Sequence, residues 1–265
     1  MPGKAKVVLT DYVWDSLDVE NEALKGLADL VPMQTKTPEE FLSEAGDCDA
    51  ILNTYAGPIT AEAIARMPQC RIIARYGIGV DTIDLKAATE AGIIVTNNPT
   101  YCIQEVAEHA MALLLACARR VAFFDRQVRA GEWNVMAGKP MFRLEGSTLG
   151  LVGFGNIARE VAVRAAAFGM DVVFTDPFVD EGQFEAPGRK MELEEVLQAA
   201  DCLSVPPPLI PQTRGMINDD AFARMKPTAF IINCARGPIV DTDALVRALD
   251  AGEIAGCGLD TTDPE

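Results

Sequence analysis

Apolar and polar positions alternate in blocks along this chain. In the first hundred residues, Lys6-Val7-Val8-Leu9-Thr10, Asp49-Ala50-Ile51-Leu52-Asn53, Arg71-Ile72-Ile73-Ala74-Arg75 and Gly92-Ile93-Ile94-Val95-Thr96 are short, nearly continuous apolar runs. Runs of that length fit strands buried on both faces. Between them, Glu20 to Leu30, Glu39 to Ala45 and Ala61 to Met67 carry helical spacing and good helix formers. Such alternation predicts a parallel sheet covered by helices. Asn97-Asn98-Pro99-Thr100 breaks the pattern and predicts a domain boundary, giving a first domain over residues 1–99 and a second over 100–265.

The second part opens with a long helix predicted from Ile103 to Arg120, followed by a less regular arm from Phe123 to Leu144 with Gly131, Gly138 and Pro140 as breakers. Alternation then resumes. Strands are expected at Thr148–Val152, Asp171–Thr175, Cys202–Val205, Ala229–Asn233 and Ala255–Leu259. Helices are expected at Ile157–Phe168, Met191–Ala200, Asp219–Met225 and Asp243–Leu249. The fold class is therefore α/β, with two doubly wound parallel-sheet domains. The second reads as a Rossmann dinucleotide-binding domain with five strands, its usual sixth expected beyond Glu265.

Composition narrows the classes of partner. The 265 residues are 49% hydrophobic and 23% charged, ordinary for two globular cores. The net charge of −16 argues against nucleic acid or an anionic membrane as a partner. The richest apolar segment, Val106 to Ala118, is interrupted by Glu108 and His109 and is too short to span a bilayer. The N-terminus has no secretory pattern. Seven scattered cysteines without a C-x-x-C pair, and one histidine, predict no metal site and small buried thiols in a reducing cytoplasm.

Chemistry begins at Leu149-Gly150-Leu151-Val152-Gly153-Phe154-Gly155-Asn156-Ile157-Ala158. The segment ends a strand, turns and opens a helix. Gly153 permits the tight turn, and Gly155 lets backbone approach a pyrophosphate. The first-turn N–H groups then face the anion, and Ala158 is small enough for close helix–strand packing. Asp176 closes the next strand, where a carboxylate would accept hydrogen bonds from a ribose and repel a 2′-phosphate. NAD is thus expected as cofactor, bound by Gly153, Phe154, Gly155, Asn156, Ile157 and Asp176. The plainer reading of Asp176-Pro177 is the start of a turn.

From Arg71 onward the chain resembles the D-isomer-specific 2-hydroxyacid dehydrogenases. The resemblance rests on Arg75-Tyr76-Gly77-Ile78-Gly79-Val80-Asp81-Thr82-Ile83-Asp84, Val106-Ala107-Glu108-His109-Ala110, the Gly153 loop, Asn233-Cys234-Ala235-Arg236-Gly237 and the segment from Gly258-Leu259-Asp260 to Glu265. Its spelling is similar to the branch related to the C-terminal-binding proteins, with phosphoglycerate dehydrogenases next. The resemblance implies a flavodoxin-like substrate domain ahead of the Rossmann domain. It also implies reversible hydride transfer between a small D-2-hydroxy acid and its 2-keto acid. Arg236 matches the family arginine that grips carboxylate and carbonyl, a task suited to a planar, permanently charged fork. Glu265 matches the carboxylate that holds the acid/base imidazole, and Asp260 the residue that binds the nicotinamide carboxamide. Cys234, Ala235, Pro207 and Thr213 fall in segments that line the cofactor. Gly77, Ile78 and Gly79 would offer N–H groups to the substrate carboxylate. Arg75 would add a positive contact or pair with a nearby acid. Tyr55 reads as a surface aromatic.

Two departures bear on activity. The loop Val205-Pro206-Pro207-Pro208-Leu209-Ile210-Pro211-Gln212-Thr213 matches a family segment that commonly reads His-Val-Pro-Leu-Thr, with prolines replacing the first two, so its cofactor contacts should come from carbonyls and apolar faces. The one histidine, His109, is expected within a packed helix face and away from the hydride path. The family's acid/base histidine would follow Glu265, so the C-terminal end of the fold is expected to be missing. Alternatives are an NAD(H)-sensing binding protein and a truncated chain without activity. A homodimer through the long helix and the arm is expected from the family.

Overall fold

The computed structural model describes residues 3–264. The chain divides into two compact units, Met1–Tyr101 and Cys102–Glu265, so the division falls just after the Asn97–Thr100 break.

The first unit alternates β1 (Ala5–Leu9), α1 (Asp18–Leu24), β2 (Ala28–Pro32), α2 (Pro38–Ala45), β3 (Ala50–Asn53), α3 (Ala61–Ala65), β4 (Ile72–Arg75), α4 (Leu85–Glu90) and β5 (Ile94–Thr96). Its five strands are all parallel, in the order β2-β1-β3-β4-β5. That is the flavodoxin-like doubly wound order. Val8, Phe41, Ile51, Ile59 and Ile73 form the centre of its core.

Two elements here correct the reading of the sequence. The stretch from Glu20 to Leu30 is not one helix. α1 stops at Leu24, Gly26 turns the chain at φ +76°, and β2 pairs with β1 from Ala28 to Pro32. β2 lies at the sheet edge and is only partly buried, so it lacks the apolar run of an interior strand. Pro32 is tolerated because an edge strand has one side that needs no donor. α4 was also not anticipated. Its start is set by Asp84, whose side chain accepts the Ala87 N–H at 2.9 Å.

The second unit contains α5 (Ile103–Ala118), α6 (Val121–Arg129), β6 (Thr148–Val152), α7 (Asn156–Ala167), β7 (Asp171–Thr175), β8 (Arg189–Lys190), α8 (Leu193–Ala199), β9 (Cys202–Ser204), α9 (Asp219–Phe222), β10 (Phe230–Asn233), α10 (Thr242–Ala251) and β11 (Gly256–Leu259), with short 3₁₀ turns at Val135–Gly138 and Gly237–Ile239. The sheet has six parallel strands rather than five, ordered β11-β10-β9-β6-β7-β8. That is the doubly wound dinucleotide-binding order, with the switch point beside β6. The sixth strand is β8, inside the chain and not beyond Glu265. It pairs only Val173 with Arg189 and Phe174 with Lys190, and two charged residues carry no hydrophobic signal. Part of the supposed irregular arm is helix α6, separated from α5 by Arg120 at φ +56°.

The two faces of this sheet feed two cores. Leu149, Leu151, Phe230 and Ile232 point toward α5 and α7, while Val152, Leu203 and Ile231 meet α8, α9 and α10. Alternation along each strand produces this division. Glycines set how closely the helices lie. A Cβ on Gly150 would come 2.9 Å from Val196 and Ala200 of the α8 region. One on Gly258 would come 3.0 Å from the Leu113 Cβ of α5 and 3.3 Å from Cys117 Sγ. Among the described residues, no helix is long and apolar enough to cross a membrane, and no group of three His, Cys, Asp or Glu side chains could hold a metal ion.

Because β11 meets α5 without a spare methyl's width, Gly258→Ala is expected to lower the unfolding free energy by about 1–3 kcal/mol. A lower urea midpoint at unchanged slope would show it; an unchanged midpoint would contradict the packing.

Candidate active site

β6 ends at Val152, and the chain turns at Gly153 with φ +99°. The Gly153 N–H bonds the Thr175 carbonyl at 2.7 Å, and a Cβ here would sit 3.6 Å from the Pro207 backbone. Gly155 precedes the first residue of α7, and a Cβ on it would meet nothing within 4 Å. Open space therefore lies in front of the helix. Among the described residues, the N–H groups of Gly155, Asn156 and Ile157 have no hydrogen-bond partner. Unpartnered first-turn donors at the positive end of a three-turn helix make a cradle for a diphosphate. Ala158 is buried against the sheet, and its small side chain keeps the helix close. The residues present thus fit a dinucleotide.

Phe154 does not face this space. Its ring is buried, stacked on Phe174 at a centroid distance of 3.9 Å, and its N–H bonds Asp176 Oδ2 at 2.7 Å. Both contacts anchor the loop. Asp176 also accepts the Phe178 N–H through Oδ1 at 2.8 Å, so the turn reading of Asp176-Pro177 is realised. A carboxylate has about four acceptor positions, so two remain for a ribose. The Asn156 side chain bonds the Arg159 guanidinium.

The proline loop passes over Gly153 through Pro207. Thr213 closes this loop on itself: its hydroxyl donates to the Pro208 carbonyl at 2.6 Å and accepts the Ile210 N–H at 2.9 Å. This internal brace compensates for the missing N–H groups of the prolines.

At the end of β10, Asn233 organises the arginine loop. It is buried, with 1% of its surface exposed. Its Oδ1 accepts the Ala235 N–H at 3.0 Å, its Nδ2 donates to the Arg236 carbonyl at 2.9 Å, and its own carbonyl accepts the Asp260 N–H at 2.9 Å. The motif spelling assigns Asn233 no role; the signal for it is a polar residue ending a fully apolar strand. Arg236 is half-buried and donates from Nη1 to the Ala235 carbonyl at 2.8 Å. Gly237 behind it lies so close to Thr262 that a Cβ would overlap the Thr262 carbonyl. The Cys234 thiol is pushed up to about 12 by burial, with the Asp260 charge adding to it, so it stays protonated and unreactive.

Asp260 follows β11 and meets His109 of α5, with Nε2 3.2 Å from Oδ1. This corrects the reading of His109. Its side chain is about half exposed and sits at the end of the sheet where Arg236 lies, not within a packed face.

In the first unit, Arg75 ends β4 and braces the following loop. Its Nε donates to the Gly79 carbonyl at 2.9 Å and its Nη1 to Asn53 Oδ1 at 3.0 Å. The Gly77 carbonyl accepts the Asn98 N–H at 3.1 Å, and the Ile78 carbonyl accepts Asn97 Nδ2 at 2.7 Å. All three carbonyls of the loop are therefore pinned. Among the described residues, the N–H groups of Gly77, Ile78 and Gly79 have no partner. Successive open N–H groups are donors available to an anion. Tyr55 is exposed, and its N–H bonds the buried Asp11 at 2.6 Å. Glu265 lies outside the described residues.

Residues 111–265 match the model of the D-isomer specific 2-hydroxyacid dehydrogenase NAD binding domain. A glyoxylate reductase of Korarchaeum cryptofilum is 43% identical over 230 residues, which cover 85% of this chain and 69% of that one. A D-3-phosphoglycerate dehydrogenase of Mycobacterium leprae is 40% identical over 224 residues, 83% of this chain and 42% of that much longer one. Among solved structures, the D-lactate dehydrogenase of Aquifex aeolicus, complexed with NAD and lactic acid, aligns with a TM-score of 0.90 at 32% identity over 97% of this chain and 77% of that one. This chain belongs to the D-isomer-specific 2-hydroxyacid dehydrogenases, and its second unit carries their NAD-binding domain.

Proposed function

We propose that this protein interconverts a small D-2-hydroxy acid and its 2-keto acid with NAD as cofactor, in the reducing direction with substrates the size of glyoxylate or pyruvate. Similarity to glyoxylate reductases and to a D-lactate dehydrogenase supports that size range. The observation that carries the acid substrate is the loop Gly77-Ile78-Gly79, whose carbonyls are pinned and whose N–H groups are open. In this reading those N–H groups take the substrate carboxylate, and Arg75 holds the loop in shape behind them. Arg236 polarises the keto oxygen and steadies the charge that develops there. NAD, when bound, supplies or receives the hydride.

The N–H groups of Gly155, Asn156 and Ile157 hold the diphosphate in this reading, Asp176 takes the ribose, and Pro207 covers the turn. Cys234 and Ala235 line the cofactor, and Asp260 accepts from the nicotinamide carboxamide. Glu265 is the proposed partner of an acid/base imidazole. A cytoplasmic location is part of the same proposal, as is a homodimer. Trp133, Val135, Met136 and Val128, on α6 and the turn after it, are all exposed large apolar side chains that a second copy would cover.

A panel of small 2-keto acids with NADH tests the activity; no turnover of any member by the complete protein would overturn it. Arg236→Ala is expected to lower kcat/KM by roughly 10²–10³-fold, with NADH affinity within a few-fold of the parent. Asp176→Asn removes the charge that repels a 2′-phosphate. The ratio of NADPH to NADH affinity should then rise by about tenfold, read by direct titration. Sedimentation should show a dimer that Trp133→Glu weakens; a monomer at every concentration would count against the proposed contact.

A further inference from the structure

His109 is the one histidine of the chain, and its place is set by packing rather than by accident of the surface. α5 lies directly on β11 because Gly258 has no side chain, with Leu113 and Cys117 filling the space a Cβ would need. From that contact, His109 is four residues back along the helix, roughly 6 Å at 1.5 Å per residue. Asp260 is two residues forward along the strand, roughly 6.6 Å. The helix runs antiparallel to the strand, so the two steps end side by side, and Nε2 comes 3.2 Å from Oδ1.

Nε2 and Oδ1 stand at ion-pair distance, and a carboxylate oxygen is an acceptor. The Asp260 main chain is held separately by its N–H to the Asn233 carbonyl. The contact to the Asp260 carboxylate is made at Oδ1 by the His109 imidazole. Both side chains are about half exposed, 49% and 47%. An exposed pair of this kind adds little to stability. It does, however, place an imidazole against a carboxylate whose main chain is tied to the Arg236 loop through Asn233.

We propose that His109 is a positioning residue for the nicotinamide amide: it holds Oδ1 of Asp260 so that Oδ2 is presented to the carboxamide N–H. The proposal rests on the reading of Asp260 as the carboxamide acceptor. It explains why a donor, rather than an apolar residue, occupies a helix position that faces the end of β11. It also predicts a selectivity that a purely structural clamp between α5 and β11 would not produce.

The test compares binding of two reduced cofactors to the intact protein by nicotinamide fluorescence. One is NADH. The other is reduced 3-acetylpyridine adenine dinucleotide, in which an acetyl group replaces the amide and no N–H is available. The parent protein should prefer NADH by roughly tenfold, the worth of one hydrogen bond to a charged group. Asp260→Ala and His109→Phe should each bring the preference close to one. His109→Gln, which keeps a donor at similar reach, should restore it. Melting temperatures should stay near the parent's, and His109→Ala replaces the Phe variant if that one fails to fold. A preference lost in Asp260→Ala but kept in His109→Phe overturns the role of His109 while leaving Asp260 as the acceptor. A preference kept in Asp260→Ala overturns the reading of Asp260 and this inference with it. A preference absent from His109→Gln as well shows that the imidazole does not act as a donor, and overturns the proposal.

Discussion

One buried amide holds the Arg236 end of the second unit together. Asn233 ends a strand whose other residues are all apolar and buried, and it makes three hydrogen bonds that link separate pieces of chain. Two of them bend the Arg236 loop back over the strand end, and the third fixes the main chain of Asp260. A buried amide left unpaired costs roughly 1–3 kcal/mol, so each bond is strongly favoured once the residue is inside. The loop thus gains a single conformation from the requirement that a polar group in an apolar layer be satisfied. Arg236 then projects from a fixed base, and its guanidinium needs little further ordering.

A second constraint is the absence of side chains where elements must touch. Gly237 lets the arginine loop lie against Thr262, Gly150 lets α8 lie on β6, and Gly258 lets α5 lie on β11. These contacts are not about turns; none of the three has a left-handed backbone. Their effect is positional. The Gly258 contact brings His109 level with Asp260, so a helix that reads as packing delivers a polar group to the end of the sheet.

The sequence made the interior of both sheets legible, because parallel strands covered on both faces must be continuously apolar. Thr148–Val152 and Asp171–Thr175 are found at the expected residues, and the glycines of the phosphate loop sit where their chemistry demands. The edges were illegible for the same reason. β2 is half-buried and ends in proline, and β8 is Arg189-Lys190, so neither carries a hydrophobic signature. Their existence depends on pairing partners far along the chain. α6 was hidden because Arg119-Arg120 looks like the end of a helix, whereas the chain bends at Arg120 and resumes. Within the site, Phe154 and Thr213 occupy motif positions, but their side chains serve the loops that present the motif. Motif spacing reports where a backbone goes, and does not report which way a ring turns or where a hydroxyl finds its acceptor.

The chemistry of the two loops explains how a chain of net charge −16 can receive anions. Its overall field is unfavourable to a dinucleotide and to a carboxylate acid alike, and at physiological salt that field decays over about 8 Å. Within that distance, local dipoles decide. In both loops the carbonyls or the loop ends are tied down, by Arg75, Asn97 and Asn98 in one unit and by Thr175 and Asp176 in the other. The N–H groups are left open, and successive backbone donors or a helix terminus supply positive potential without adding a lysine. Backbone donors are fixed in direction where a flexible ammonium is not.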